Sequence, residues 1–140
     1  MYRRLAASLL AGAMAVLSPS IAMAACGPDD LAGRWDSYTV GNTRHEPFWE
    51  RCEIRFSNTG KILSGSDCRT DTGDRSTLSG RFVLDSSCRI TATLTQQFPG
   101  EKPNVCEIPQ ATLTKDQGSL AGVGSCKGSG SIFSVTLIRR

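Results

Sequence analysis

The chain of 140 residues holds one histidine, His45, so metal sites built on two imidazoles are excluded. A Ser–His–Asp site would have to use that same residue, and no serine stands in a G-x-S-x-G elbow. There is no C-x-x-C, and no two cysteines lie closer than sixteen residues, which argues against zinc ligation and a redox pair. Asp67, Asp71 and Asp74 surround a polar turn without the spacing of a calcium loop. With no metal or cofactor implied, and no catalytic constellation, the sequence argues against an enzyme. Charge of one sign is also lacking. Setting aside Arg3 and Arg4 leaves fourteen basic residues against thirteen acidic, giving no argument for nucleic acid or anionic lipid as a partner.

Long apolar runs are confined to the start. Arg3 and Arg4 precede the apolar or small stretch from Leu5 to Leu17, Ser18-Pro19-Ser20 breaks it, and Ala22-Met23-Ala24 is a small-x-small cleavage site. Residues 1–24 are expected to be an export signal, too short for a membrane anchor. Residues 25–140 are then one domain in the periplasm or outside the cell. Met23-Ala24-Ala25-Cys26 loosely matches a lipidation site, with Met23 where leucine is usual; lipid on Cys26 would be the one route to a membrane. It would leave an odd number of cysteines.

Six cysteines are present: Cys26, Cys52, Cys68, Cys88, Cys106 and Cys126. An even count behind a signal reads as three disulfides formed under oxidising conditions. Sequence allows fifteen pairings. The expectation is Cys52 with Cys68, Cys88 with Cys106, and Cys26 with Cys126. The first is the most secure. Cys52, Ile54 and Phe56 alternate with Glu53 and Arg55, Asn58-Thr59-Gly60 supplies a turn, and the chain returning from Lys61 to Asp67 brings Cys68 opposite Cys52.

Turn signals recur about every ten residues, and nothing between them has a helical period. Leu31 to Val40 is expected as a first strand anchored by Trp35, followed by a loop from Gly41 to Trp49. Leu78, Gly80, Phe82 and Leu84 share a face of a fourth strand; Cys88, Ile90, Ala92 and Leu94 share one of a fifth. A loop from Gln96 to Asn104 leads to a sixth strand interrupted by Pro109, a sign of an edge or bulge. Ser119 to Cys126 and the alternating Phe133, Val135 and Leu137 complete eight. Eight short strands in up-and-down order suit an all-β, disulfide-stapled, antiparallel barrel; a two-sheet sandwich is the alternative. Gly60, Gly80 and Gly118 each precede a cysteine by eight residues, a weak internal echo that supports a meander, with coincidence as the alternative.

Aromatics are also scarce, at 6 % of the chain, and two loops concentrate them beside charge and proline. Arg44, His45 and Phe48 lie in one; Phe98, Pro99 and Lys102 lie in the other. Aromatic and basic anchors on stiffened loops are the usual material of contact sites, so these six are the candidate partner-binding residues. Phe48, Trp49 and Phe98 could equally cap the barrel ends, Trp49 most of all. Trp35, Phe56, Phe82, Leu94, Phe133 and Leu137 have the bulk to fill an eight-stranded interior. A filled interior leaves the outer surface and loops for recognition. The function this implies is an exported, non-catalytic binding protein whose partner is another protein, such as a hydrolase it inhibits. The alternative is a carrier of a small apolar ligand inside the barrel.

Asp30-Leu31-Ala32-Gly33-Arg34-Trp35 is an L-x-G-x-W opening onto the first strand. It resembles the start of calycin-type barrels such as lipocalins and avidin. With Cys52-Glu53-Ile54-Arg55-Phe56 and Cys68, residues 29–68 resemble the small periplasmic inhibitors of serralysin-type metalloproteases. That resemblance implies an eight-stranded barrel, a disulfide between early strands and an N-terminal segment inserted into a protease cleft. Four further cysteines, and an arm of only Ala25 to Asp30, depart from that pattern.

Overall fold

A computed structural model describes residues 25–140, so the expected signal, residues 1–24, lies outside the described residues. A short 3-10 turn, Pro28–Leu31, leads into eight strands: β1 (Gly33–Asn42), β2 (Pro47–Phe56), β3 (Asp67–Thr70), β4 (Arg75–Leu84), β5 (Arg89–Gln97), β6 (Asn104–Leu113), β7 (Ser119–Cys126) and β8 (Ser131–Arg139). Each strand pairs antiparallel with the next, and β8 returns to β1, closing the barrel. Closure pairs every strand on both sides, which removes the edge that an open sheet of short strands would expose. The expected all-β barrel is therefore present, and the sandwich is not.

Period-two alternation decides which side chains face inward. Ile90, Ala92 and Leu94 of β5 are buried, as are Phe133, Val135 and Leu137 of β8. One end of the barrel is plugged. Leu31 is fully buried beneath the 3-10 turn, and Trp35 is 1 % exposed with its indole Nε1 donating to the Leu31 carbonyl at 2.9 Å. The Arg139 guanidinium stacks on the Trp35 ring at 4.5 Å. It also donates to the carbonyls of Ala32 at 2.8 Å and Gln117 at 3.0 Å, and to that of Asp30. Phe56 and Phe82 meet edge to face above this floor, ring centres 4.8 Å apart.

The bridges are Cys52–Cys68, Cys26–Cys88 and Cys106–Cys126, with no free cysteine among the described residues. Cys52–Cys68 is as expected. The expected Cys88–Cys106 and Cys26–Cys126 are not formed, and the reason is strand direction. β5 and β6 run antiparallel, so the start of β5 meets the end of β6: the Leu113 amide donates to the Cys88 carbonyl at 2.9 Å, while Cys106 lies opposite Leu94. On its other side Cys106 faces Cys126 directly. Cys88 itself is not a strand residue but closes the β4–β5 turn at positive φ, 62°, where it reaches Cys26 at the plugged end. Bonded there, the Cys26 sulfur is not available for a lipid thioether.

Two loops are shorter than expected. β1 runs on to Asn42 and β2 begins at Pro47, leaving residues 43–46 as the connection; β5 runs to Gln97, leaving 98–103. The hairpin after β2 starts as read, with Phe56 bridging Ile62, but it does not run back as one strand. Residues 63–66 loop out, and pairing resumes two residues out of step at Glu53 opposite Asp67 and Cys52 opposite Cys68. Pro109 marks a bulge, where the β6–β7 register shifts between Glu107 and Gln110. The three glycines of the internal echo do not share one setting: Gly60 and Gly118 are in turns, whereas Gly80 is inside β4.

Candidate functional site

Up-and-down topology sends four connections to the end opposite Trp35: residues 43–46, 71–74, 98–103 and 127–130. They form the rim of an opening. Thr43 shapes the first, its hydroxyl accepting from the backbone amides of His45 at 3.1 Å and Glu46 at 3.0 Å. The third is held by Gln97, whose side-chain amide donates to the carbonyls of Phe98 at 2.7 Å and Glu101 at 2.6 Å. Arg44 lies across Gly130 of the fourth, closely enough that a Cβ there would stand 2.6 Å from its Nε.

Below the rim is a cavity of about 230 Å³. The bulk expected to fill the barrel fills only its plugged half. Trp35 and Phe56 belong there, whereas Phe82, Leu94, Phe133 and Leu137 line the cavity. Glycine placement opens this space: Gly124 gives the Phe133 ring room, since a Cβ there would sit 2.4 Å from its Cζ. Two of the three disulfides border the cavity, lined by Cys52 of Cys52–Cys68 and by both residues of Cys106–Cys126, and each joins directly opposed residues.

The six candidate contact residues thus reach one end of the barrel, though they come from connections fifty residues apart. They divide there into two kinds. Phe48 and Phe98 are half-buried and line the cavity, while Arg44, His45, Pro99 and Lys102 are exposed on or beside the rim. Trp49 does not cap the barrel. It is 51 % exposed on the outer wall, opposite Val40 of β1, with Ile132 and Val123 along the same shallow groove.

Sequence reasoning missed Glu50, the one charged side chain among the described residues of the cavity wall. Its inward direction follows from alternation with Phe48, Cys52, Ile54 and Phe56, a signal hidden when residues 41–49 were taken as loop. Gln96 of β5, inward in step with Leu94, donates from Nε2 to Glu50 and to the Ser76 hydroxyl at 2.9 Å. Burial pushes the Glu50 carboxyl above its ordinary range, and the Gln96 hydrogen bond only partly offsets this. Glu50, Cys52 and Cys68 place possible ligand atoms within 4.8 Å of one another, but the two sulfurs are bonded together and offer no thiolate to a metal. At the rim, Asn104 donates to the Ser129 hydroxyl at 3.3 Å while its Oδ1 is buried without a partner.

No protein family, curated protein or solved structure matches the chain. Three bridged cysteine pairs nonetheless fit an oxidising, extracellular-type environment, and none of the described helices is long and apolar enough to cross a membrane.

Proposed function

We propose that the protein is exported to the periplasm or beyond and binds a small, mainly apolar molecule inside its barrel. The observation that carries this reading is the cavity of about 230 Å³ between the packed floor and the rim. A core of this size normally closes over such a space, because lost contacts and cavity surface both destabilise. An engineered apolar cavity of roughly 150 Å³ holds benzene, so this one has room for about nine or ten non-hydrogen atoms. Phe48, Phe82, Phe98 and Phe133 supply flat apolar walls. The rim gives direct access to this space. Indole, with nine non-hydrogen atoms, is a suitable probe. It should raise the melting temperature of the wild type in a dose-dependent way. Val135→Phe, which fills the cavity from β8, should abolish that shift while leaving the fold intact. Equal shifts in both proteins would place indole elsewhere and remove the support for binding inside the barrel.

A second reading, docking on a hydrolase, is favoured by the outer wall. Val40, Trp49 and Ile132 are 60 %, 51 % and 70 % exposed and adjoin the connection that carries Arg44 and His45. The arm-insertion mechanism implied by the protease-inhibitor resemblance fits less well, because residues 26–31 are tied down by Cys26–Cys88 and by burial of Leu31. Wild-type protein should capture and inhibit a periplasmic hydrolase that Trp49→Ala and Phe98→Ala do not. Capture unaffected by both changes would discard this reading.

A further inference from the structure

Glu50 is out of keeping with its surroundings. Every other described residue lining the cavity is uncharged, so among the described residues no lysine, arginine or histidine there balances its carboxylate. Glu50 is half-buried, and a charge drawn this far from water is ordinarily paired, an unpaired one being costly to keep. Nor is the carboxyl free to swing away. Gln96 holds one oxygen, Oε2, and is itself braced by Ser76, so both of its amide protons are committed. The other oxygen, Oε1, lies 3.4 Å from Cys52 Sγ. That sulfur is bonded to Cys68 and carries no proton to donate. The site therefore holds an oriented acceptor whose second oxygen has no donor among the described residues, in a mainly apolar chamber to which they contribute no cation.

We infer that the ligand class is a small organic amine, its apolar body among the phenylalanines and its ammonium donating to Oε1 of Glu50. An ammonium supplies both elements the chamber lacks, a positive charge and a proton donor. Phe48, Phe82, Phe98 and Phe133 are also compatible with it, because aromatic faces attract cations. A carboxylate ligand would meet repulsion from Glu50 with no compensating cation. A neutral alcohol could donate to Oε1 but would leave the charge unpaired. The assignment rests on binding within the barrel, and it names the ligand class for that same cavity.

Three probes of nearly one size separate the alternatives: 2-phenylethylammonium, 2-phenylethanol and phenylacetate, titrated calorimetrically into the disulfide-intact protein at pH 7. The ammonium should bind about ten- to a hundredfold more tightly than the alcohol, the range of a charge-assisted hydrogen bond. Phenylacetate should bind weakest. Glu50→Gln keeps the acceptor for Gln96 and removes the charge, so it should bring the ammonium and alcohol to within a few-fold of each other. Should that variant fail to fold, the ranking of the three probes on the wild type decides alone. Alcohol binding as tightly as ammonium to the wild type, or an ammonium preference untouched by Glu50→Gln, overturns the amine assignment and leaves the cavity reading standing. Failure of all three probes and of indole overturns both.

Discussion

At the scale of the residue, most inward positions follow the rule that alternating side chains on a half-buried strand are apolar, and Glu50 breaks it. The break has a consequence for stability. Desolvation raises the carboxyl's folded-state pKa above that of the unfolded chain, so the protonated form is the one folding favours. That advantage is complete at pH below the ordinary carboxyl range and is lost as pH climbs through the raised value. Glu50→Gln removes the cost of ionisation. Its urea midpoint should therefore exceed that of the wild type at pH 7, and the two should converge towards pH 3. A variant less stable than the wild type at pH 7 would mean that the carboxylate is compensated by the barrel's own residues. Of the candidate site, Phe48 and Phe98 were legible because aromatics in proline-bearing loops stand out. Glu50 and Gln96 were not, because each belongs to a strand that runs further than its turn signals suggest: to recognise an inward acid, the strand must first be extended past Pro47, a residue that reads as loop.

At the scale of the element, the 3-10 turn Pro28–Leu31 acts as a plug held by the Cys26–Cys88 bridge, by burial of Leu31 and by one side chain of the last strand. Arg139 stacks on Trp35 and supplies donors to carbonyls on both sides of the plugged end. Arg139→Ala would strand those carbonyls and remove the stacking, which should cost about 2–4 kcal/mol in chemical denaturation. Arg139→Lys should recover little of it, since an ammonium cannot reproduce a planar, forked donor. Full stability in the lysine variant would show that charge alone suffices. The Trp35 anchor was visible in sequence as a large apolar residue after Gly33, but its arginine partner was not, being a hundred residues away in a strand read only for its inward face. Pro109 was legible as an interruption because it removes a ladder hydrogen bond. Closure of the barrel turns the edge-or-bulge choice into a bulge. The step of two residues between the Phe56–Ile62 and Cys52–Cys68 pairings left no such mark. It depends on Ser66, a buried serine whose hydroxyl donates to the Leu63 carbonyl at 2.8 Å and accepts from the Arg55 amide at 3.0 Å.

At the scale of the whole molecule, up-and-down closure and the disulfides divide the work of keeping a partly hollow barrel folded. The strand count and order were readable from turn spacing, whereas cysteine connectivity was not, because it depends on which strand ends share a barrel end. Cys52–Cys68 and Cys106–Cys126 close 16 and 20 residues and brace the wall of the cavity, where side-chain packing is thinnest. Cys26–Cys88 spans 62 residues and fastens the plug to the β4–β5 turn. A cross-link stabilises mainly by restricting the unfolded chain, and the restriction grows slowly with loop length. In that description the two short bridges contribute about 3 kcal/mol each and the long one about 4. Proteolysis under non-reducing conditions should recover the three pairs as Cys26–Cys88, Cys52–Cys68 and Cys106–Cys126. Paired Cys→Ala replacements should then separate two roles. Loss of Cys26–Cys88 should lower the unfolding free energy most, while indole binding persists in the protein that remains folded. Loss of Cys52–Cys68 or Cys106–Cys126 should cost less in stability and more in affinity, because those sulfurs shape the chamber itself. If binding instead fails with the long bridge and survives without the short ones, the plug rather than the wall determines the shape of the cavity.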